Sequence, residues 1–273
     1  TLSGLRRRGY PPAAIREFCG YIGVTKTNSR HSIELLESFV RRELNQTALR
    51  RMAVINPLRL VITNWPTTAD GSPVVEYCEV VNNPENPHDG TRLVPFSGEL
   101  FIERDDFAEI PPPKFFRLSP GREVRLRSAY FVTCTDVVKD SAGQIVEVRC
   151  TYDPQTRGGT AADGRRVKST MHWVSAQHAV PATVALYDRL FTAEVPGEAT
   201  GDALDDLNPN SREVFTDCKL EPALADIIPG TVVQFERLGY FALDPREPML
   251  FHRTVGLKDE WANIQKRQGS PRS

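Results

Sequence analysis

Between residues 114 and 130 the chain reads KFFRLSPGREVRLRSAY. Lys114, Arg117, Arg122, Arg125 and Arg127 lie close together there, beside Phe115 and Phe116. GREVRLRSAY alternates as a strand does. Val124 and Leu126 face one side, while Glu123, Arg125 and Arg127 face the other. Two arginines two residues apart on one face stand roughly 7 Å apart. That spacing suits successive nucleotides or phosphates better than one small anion. The planar fork of arginine grips a base edge or a phosphate in two places and stacks on rings. Phe115, Phe116 and Arg117 add stacking groups just before the turn. Unpaired RNA is recognised in this manner, its bases splayed and bonded along their edges. A solvated strand face whose charges discourage edge pairing has the same composition. The cluster alone leaves both readings open.

The whole chain is close to neutral, with 34 Lys+Arg against 35 Asp+Glu. A local cationic patch can still steer a polyanion while the remainder stays neutral. At 273 residues there is room for two domains and a sizeable core. The 40% apolar and 25% charged content is that of an ordinary globular protein. No run of about 18 apolar residues occurs, so no membrane-spanning helix and no membrane partner are expected. No signal peptide is visible. The opening on Thr1, directly into SGLRRRGY, reads as a piece of a longer protein.

Metal and nucleophile chemistry find little foothold. Cys19, Cys78, Cys134, Cys150 and Cys218 are widely spaced, with no CxxC pair. They read as reduced, mostly buried thiols of a cytoplasmic protein. His172 and His178 are too far apart for the i, i+4 arrangement of a helical zinc site, so no metal ligands are expected. RGGTAADGRR is Gly-rich but lacks the phosphate-loop signature. No GxSxG elbow occurs. The pairs Asp105–Asp106 and Asp205–Asp206 sit in polar surroundings and read as loop residues. No catalytic residue is assigned.

The elements that must position the basic strand follow from periodicity. PPAAIREFCGYIGV places Ile15, Phe18, Tyr21 and Ile22 on one helical stripe, with prolines at the start and Gly23 at the end. A second helix is predicted from about residue 32 to 45. It carries Ile33, Leu36, Phe39, Val40 and Leu44, with Ser32 as N-cap and Glu34 in the first turn. Residues 48–52 read as a short turn. From Pro57 the period becomes two. PLRLVITNW, VVEYCEVV, GELFIE, REVRLRSAYFVTC, IVEVRCTYD, VKSTMHWVS, TVALYDRLF, TVVQFERLGYFALD and FHRTVGL are strand candidates separated by turn signals. The fold class is therefore mainly β: two small antiparallel β-barrels preceded by a short all-α subdomain. QKRQGSPRS reads as a linker or disordered tail.

Several blocks, in order, carry a resemblance. They are TLSGLRRRGYPPAAIREFCGYIGVTK, AVINPLRLVITNW, VPFSGELFIERDDF, KFFRLSPGREVRLRSAYFV, ADGRRVKSTMHWVS, LYDRLF and FHRTVGLKDEWA. Together they resemble the C-terminal half of bacterial glutaminyl-tRNA synthetases over about residues 1–264. The resemblance implies the anticodon-recognition part of a class I ligase that charges tRNA(Gln) with glutamine. ATP, with Mg2+, would belong to a catalytic domain whose HIGH-type and KMSKS-type motifs do not occur here. It implies a helical subdomain at 1–50, a proximal barrel from 51–110 and 192–264, a distal barrel at 111–191, and a tail at 265–273. A cytoplasmic monomer is expected.

Carried over residue by residue, the resemblance assigns Arg50 and Gln234 to the middle anticodon base and Arg117 to the third. Arg125 and Arg127 fall near the first base, and Arg237 supports the pocket. Lys114 and Phe116 stand where a glutamine and a lysine are usual. Glu260 stands where a threonine is expected. Arg6, Arg7 and Arg8 are expected on tRNA phosphates, which position the RNA without reading it. Structural roles compete at several sites: Arg50 and Arg51 as caps of a helix C-terminus, Gln234 as an ordinary strand residue, Arg237 in an ion pair. Glutamyl-tRNA synthetases of the archaeal and eukaryotic type share the barrel blocks. A free-standing β-barrel interaction module is the reading from a different class.

Overall fold

The computed structural model describes residues 1–27 and 29–258. Glu260 and the expected tail at 265–273 lie outside the described residues. Three α-helices come first: α1 (Leu2–Arg7), α2 (Pro12–Ile22) and α3 (Ile33–Thr47). Pro12 opens α2, where its missing N–H is not needed. Gly23, at φ +70°, closes it. Ser32 Oγ accepts from the Glu34 N–H and caps α3. Leu35, Leu36, Phe39, Val40 and Leu44 of α3 pack with Tyr10, Ala14, Tyr240 and Val255 in one core. Two members of the expected stripes are exposed instead, Tyr21 and Ile33.

Strands follow in the order β1 (Leu49–Arg51), β2 (Ala53–Val54), β3 (Pro57–Ile62), β4 (Glu76–Val81), β5 (Thr91–Phe96) and β6 (Glu99–Glu103). Next come β7 (Glu123–Leu126), β8 (Phe131–Lys139), β9 (Ile145–Asp153), β10 (Thr170–Met171) and β11 (Val174–Ser175). The last are β12 (Val180–Tyr187), β13 (Arg212–Leu220), β14 (Val232–Phe235), β15 (Gly239–Leu243) and β16 (Leu250–Val255). The fold is mainly β with barrel-like sheets behind a short helical region, as the sequence indicates. Residues 49–51 form a strand, not the expected turn, because they pair in parallel with β14.

One sheet runs β1-β14-β15-β16-β12-β13-β2, and the other β10-β7-β8-β9-β3-β6-β11. β4 and β5 form a separate hairpin. Strand pairing crosses the division expected from the resemblance. β3 pairs with both β6 and β9, so residues 57–62 and 99–103 share a sheet with 123–175. β12 pairs with β13 and β16, so residues 180–187 join the sheet of 212–255. The cores follow the pairing. One runs from Met52 to Val174, and the other joins Ala53 and Ile55 to residues from Ala182 onward.

The helical region is fastened to the β15–β16 end of the first sheet. Asp244, buried, receives Arg7 Nε at 2.5 Å, His252 Nε2 at 2.6 Å, and the N–H groups of Arg246 and Glu247. Burial alone would raise its pKa. The bonds from His252, Arg7 and the two backbone N–H groups outweigh this and hold the carboxyl well below the usual carboxylate range. Gly9, at φ +78°, permits the close approach: a Cβ there would stand 2.5 Å from the Ala242 Cβ.

The two large sheets meet through a second buried carboxylate. Asp106 follows β6, and Arg237 sits at φ +69° in the turn between β14 and β15. Arg237 donates to both Asp106 oxygens, Nη1 at 2.6 Å and Nη2 at 2.8 Å. Arg117 Nη1 lies 3.0 Å from Oδ1 of the same group. Asp106 is fully buried. Burial would lower the Arg237 pKa, but the bonds and charge of Asp106 raise it on balance, so the guanidinium stays charged.

All five cysteines are free thiols, and all but Cys19 are buried. Burial pushes Cys78 up to about 11 and Cys218 up to about 12. No described helix is long and apolar enough to cross a membrane.

Asp106→Ala removes the buried partner of two partly exposed guanidinium groups. It should lower stability in urea unfolding by about 3 kcal/mol; a loss under about 0.5 kcal/mol would show that the sheets dock without it. Asp244 contributes stability that is full above the unfolded carboxyl value, near pH 4, and is lost as pH falls through its lower native value. The stability gap between the unaltered chain and Asp244→Asn should therefore shrink from about pH 6 to about pH 3. A constant gap would remove the acid-labile role.

Candidate nucleic-acid interface

Three of the arginines assigned by resemblance converge at the sheet junction. Arg117 and Arg237 share Asp106, and Arg117 Nη1 also donates to the Asp105 carbonyl at 3.1 Å. Arg127 Nε stands 2.9 Å from Oε2 of Glu236, the residue before Arg237. Arg117 and Arg127 remain partly open, with side chains 44% and 42% exposed, so both can reach a ligand. The Arg127–Glu236 contact is close but not aligned as a hydrogen bond. Arg127 Nε, Glu236 Oε1 and His172 Nε2 are buried without an aligned hydrogen bond, although Arg127 Nε pairs with Glu236 and His172 Nε2 lies 3.5 Å from Glu103 Oε1. Buried polar atoms are normally satisfied.

Arg50 and Gln234 are cross-strand neighbours in the parallel pair β1–β14. Their side chains differ in availability. The Arg50 guanidinium is buried and donates to the Ala48 carbonyl at 2.6 Å, the Asn45 carbonyl at 2.7 Å and Asn45 Oδ1 at 3.1 Å. These are groups at the end of α3 that the helix itself cannot satisfy. Arg50 thus caps the helix, the structural role that competed with base reading. Tyr240 donates to the same Asn45 Oδ1 at 3.2 Å. Burial raises the Tyr240 pKa, opposed by a hydrogen bond from Gln234 and by the Arg50 charge. Gln234 is half-buried beside this group.

Arg125 and Arg127 leave the β7 region toward different partners. Arg125 Nε donates to Thr170 Oγ1 at 2.8 Å, and its Nη1 donates to the Gly159 carbonyl at 3.2 Å. It lines a depression of about 440 Å3 with Phe131, Gly159, Arg165 and Arg166. Lys114 is exposed at φ +66°. Phe116 is exposed beneath Lys168.

Of the three N-terminal arginines, Arg6 alone is exposed and makes no ion pair among the described residues. Arg7 is bound to Asp244 and Glu247. Arg8 donates to the carbonyls of Arg253 and Thr254 and lies 4.6 Å from the Tyr187 ring centroid. The phosphate role expected of Arg7 and Arg8 thus competes with internal contacts that fasten α1.

Sequence reasoning missed a cleft of about 580 Å3 between the helices and the first sheet. Arg8, Arg189, Arg253 and Lys258 line it, with Glu34 and Glu37 opposite. Arg189 is paired to both glutamates, which raise its pKa against the lowering effect of burial. Burial and the Arg8 charge lower that of Arg253. The signal was in LYDRLF and FHRTVGL, but no local pattern brings those segments together. No group of three or more side chains suited to a metal occurs among the described residues.

Two family models match the chain. Both are described as the anticodon-binding domain of class I (E and Q) tRNA synthetases, one over residues 48–153 and one over 170–244. The chain is 52% identical over 267 residues to a glutamine–tRNA ligase of Nitrobacter winogradskyi, covering 97% of this chain and 46% of that protein. It is 52% identical over 272 residues to one from Rhodopirellula baltica, covering 98% and 44%. It is 47% identical over 267 residues to one from Clostridium perfringens, covering 96% and 47%. The chain spans just under half the length of these curated relatives. These matches and the paired barrel-like sheets place the chain in the family of class I (E and Q) tRNA synthetase anticodon-binding domains, in the form found in bacterial glutamine–tRNA ligases.

Proposed function

We propose that this chain recognises the anticodon of tRNA(Gln) as part of a ligase that joins glutamine to that tRNA. The observation that carries the reading is the junction group: Arg117, Arg127 and Arg237 converge on two carboxylates while Arg117 and Arg127 stay open to a ligand. ATP, with Mg2+, would serve the catalytic part of the whole ligase. The protein is proposed to act as a cytoplasmic monomer.

Arg117 is the candidate reader of the third base. A guanine offers O6 and N7 to an arginine fork, and the 44% exposed Arg117 keeps donors to spare. Arg237, committed to Asp106 through both Nη atoms, supports the pocket. At the middle base Gln234 is the direct contact, since an amide both donates to and accepts from a uracil edge. Arg50 positions it across the β1–β14 pair. Arg127 and Arg125 lie toward the first base. Lys114 and Phe116 flank the third. Arg6 and the Arg253 cleft supply phosphate contacts.

The proposed units follow the sheets: a helical part at 1–47, one barrel unit at 57–175, and another from 49–54 with 180–255. A free-standing module fares poorly, because the likeness to glutamine–tRNA ligases covers almost the whole chain. Anticodon preference separates this reading from a glutamyl enzyme.

Arg117→Ala should cost about 1–3 kcal/mol in binding an anticodon stem-loop and relax the preference at its third base. An unchanged preference would remove Arg117 from the reading set. Arg6→Ala should weaken all stem-loops alike and flatten the salt dependence by about one unit of slope. A base-selective effect there would contradict the phosphate role.

A further inference from the structure

Phe116 lies 49% exposed on the surface beside Arg117. Single exposed apolar side chains are common and need no explanation. Three further observations set this one apart.

The first is a clamp on its backbone. The Arg122 guanidinium donates through Nη1 to the carbonyl of Phe115 and lies within 3.4 Å of that of Arg117. The residues on either side of Phe116 are thus tied to one cation. The Phe115 N–H also bonds the Pro112 carbonyl at 3.1 Å. The ring is held out by the fold and is not the tip of a loose loop.

The second is a cation on the ring. Lys168 Nζ stands 4.8 Å from the Phe116 ring centroid, within the range of a cation–π contact. The third is the company. Phe116 lines a depression of about 390 Å3 with Arg122, Glu123, Arg166, Val167 and Lys168. Glu123, the one acid there, is already paired with Arg165. Arg166 and Lys168 therefore face the depression as excess positive charge.

A pre-set aromatic face ringed by cations matches one chemical class: an unpaired nucleobase together with its phosphate. Bases of any sequence stack on such a face, and preorganisation removes the ordering cost. We propose that Phe116 and Lys168 form a stacking platform for one unpaired base of the bound loop, at or next to the nucleotide read by Arg117. Arg166 would neutralise the adjoining phosphate. The platform contributes affinity and not base choice. This inference rests on the anticodon reading above.

The test uses the full chain and anticodon stem-loops carrying 2-aminopurine at, or on either side of, the third anticodon position. Stacking quenches that fluorophore. The unaltered chain should quench it at one of these positions. Phe116→Ala should abolish the quench and weaken stem-loop binding roughly tenfold, while leaving the third-base preference in place. Phe116→Trp should keep both affinity and quench. Binding of inorganic polyphosphate, which has no bases, should be the same for all three proteins. Phe116→Ala binding the stem-loop as tightly as the unaltered chain would overturn the platform. So would an equal loss toward polyphosphate. A tenfold loss from a chain with no third-base preference would uphold the platform and sink the anticodon reading.

Discussion

The arrangement of this molecule depends on a carboxylate with no access to water. Asp106 sits at the end of β6 in one large sheet and receives Arg237 from the other. A buried ion pair is a poor source of stability compared with apolar packing, because desolvation offsets much of the attraction. What it does provide is geometry. Two Nη bonds to two oxygens fix the Arg237 fork, and Arg117 is drawn to the same group. Removing the charge would free both cations at once. One of the contacts that dock the sheets thus also aims the arginines.

Structural and recognition roles draw on one pool of cations. Arg50 closes the end of α3, Arg7 holds α1 to Asp244, and Arg165 is bound by Glu123, Asp153 and Asp163. A near-neutral chain can therefore look basic in sequence at places where its fold leaves little free charge. Among the cations that stay at least partly open, Arg117, Arg127, Arg166 and Lys168 lie along the junction and the platform beside it. Their value for an RNA ligand lies in being surrounded by committed neighbours that do not compete with phosphate or base edges.

Much of this was legible in the sequence where the cause is local. Ser32 and the apolar stripe behind it mark α3. IVEVRCTYD corresponds to β9 residue for residue. Of the four strands without a sequence signal, β1, β2, β5 and β13, the last two have a clear physical reason. β13 is exposed on both faces over most of its length, so no alternation marks it. β5 carries Pro95, which argues against a strand interior. Strand partnership was beyond reach, since β3 pairs in parallel with β9 through no local signal. The fate of Arg50 was likewise hidden, because it depends on where α3 ends. The basic cluster at 114–127 was visible at once, but Asp106, which organises it, looked like an ordinary loop acid.

The junction arginines are proposed to read an anticodon. The most direct test is a titration of this chain, at fixed moderate salt, against stem-loops differing only in the third anticodon base, CUG and CUC. A clear preference for CUG is expected, as guanine offers two acceptors to Arg117 and cytosine does not. Equal affinity for the two would contradict it and leave a basic surface that holds RNA without reading it.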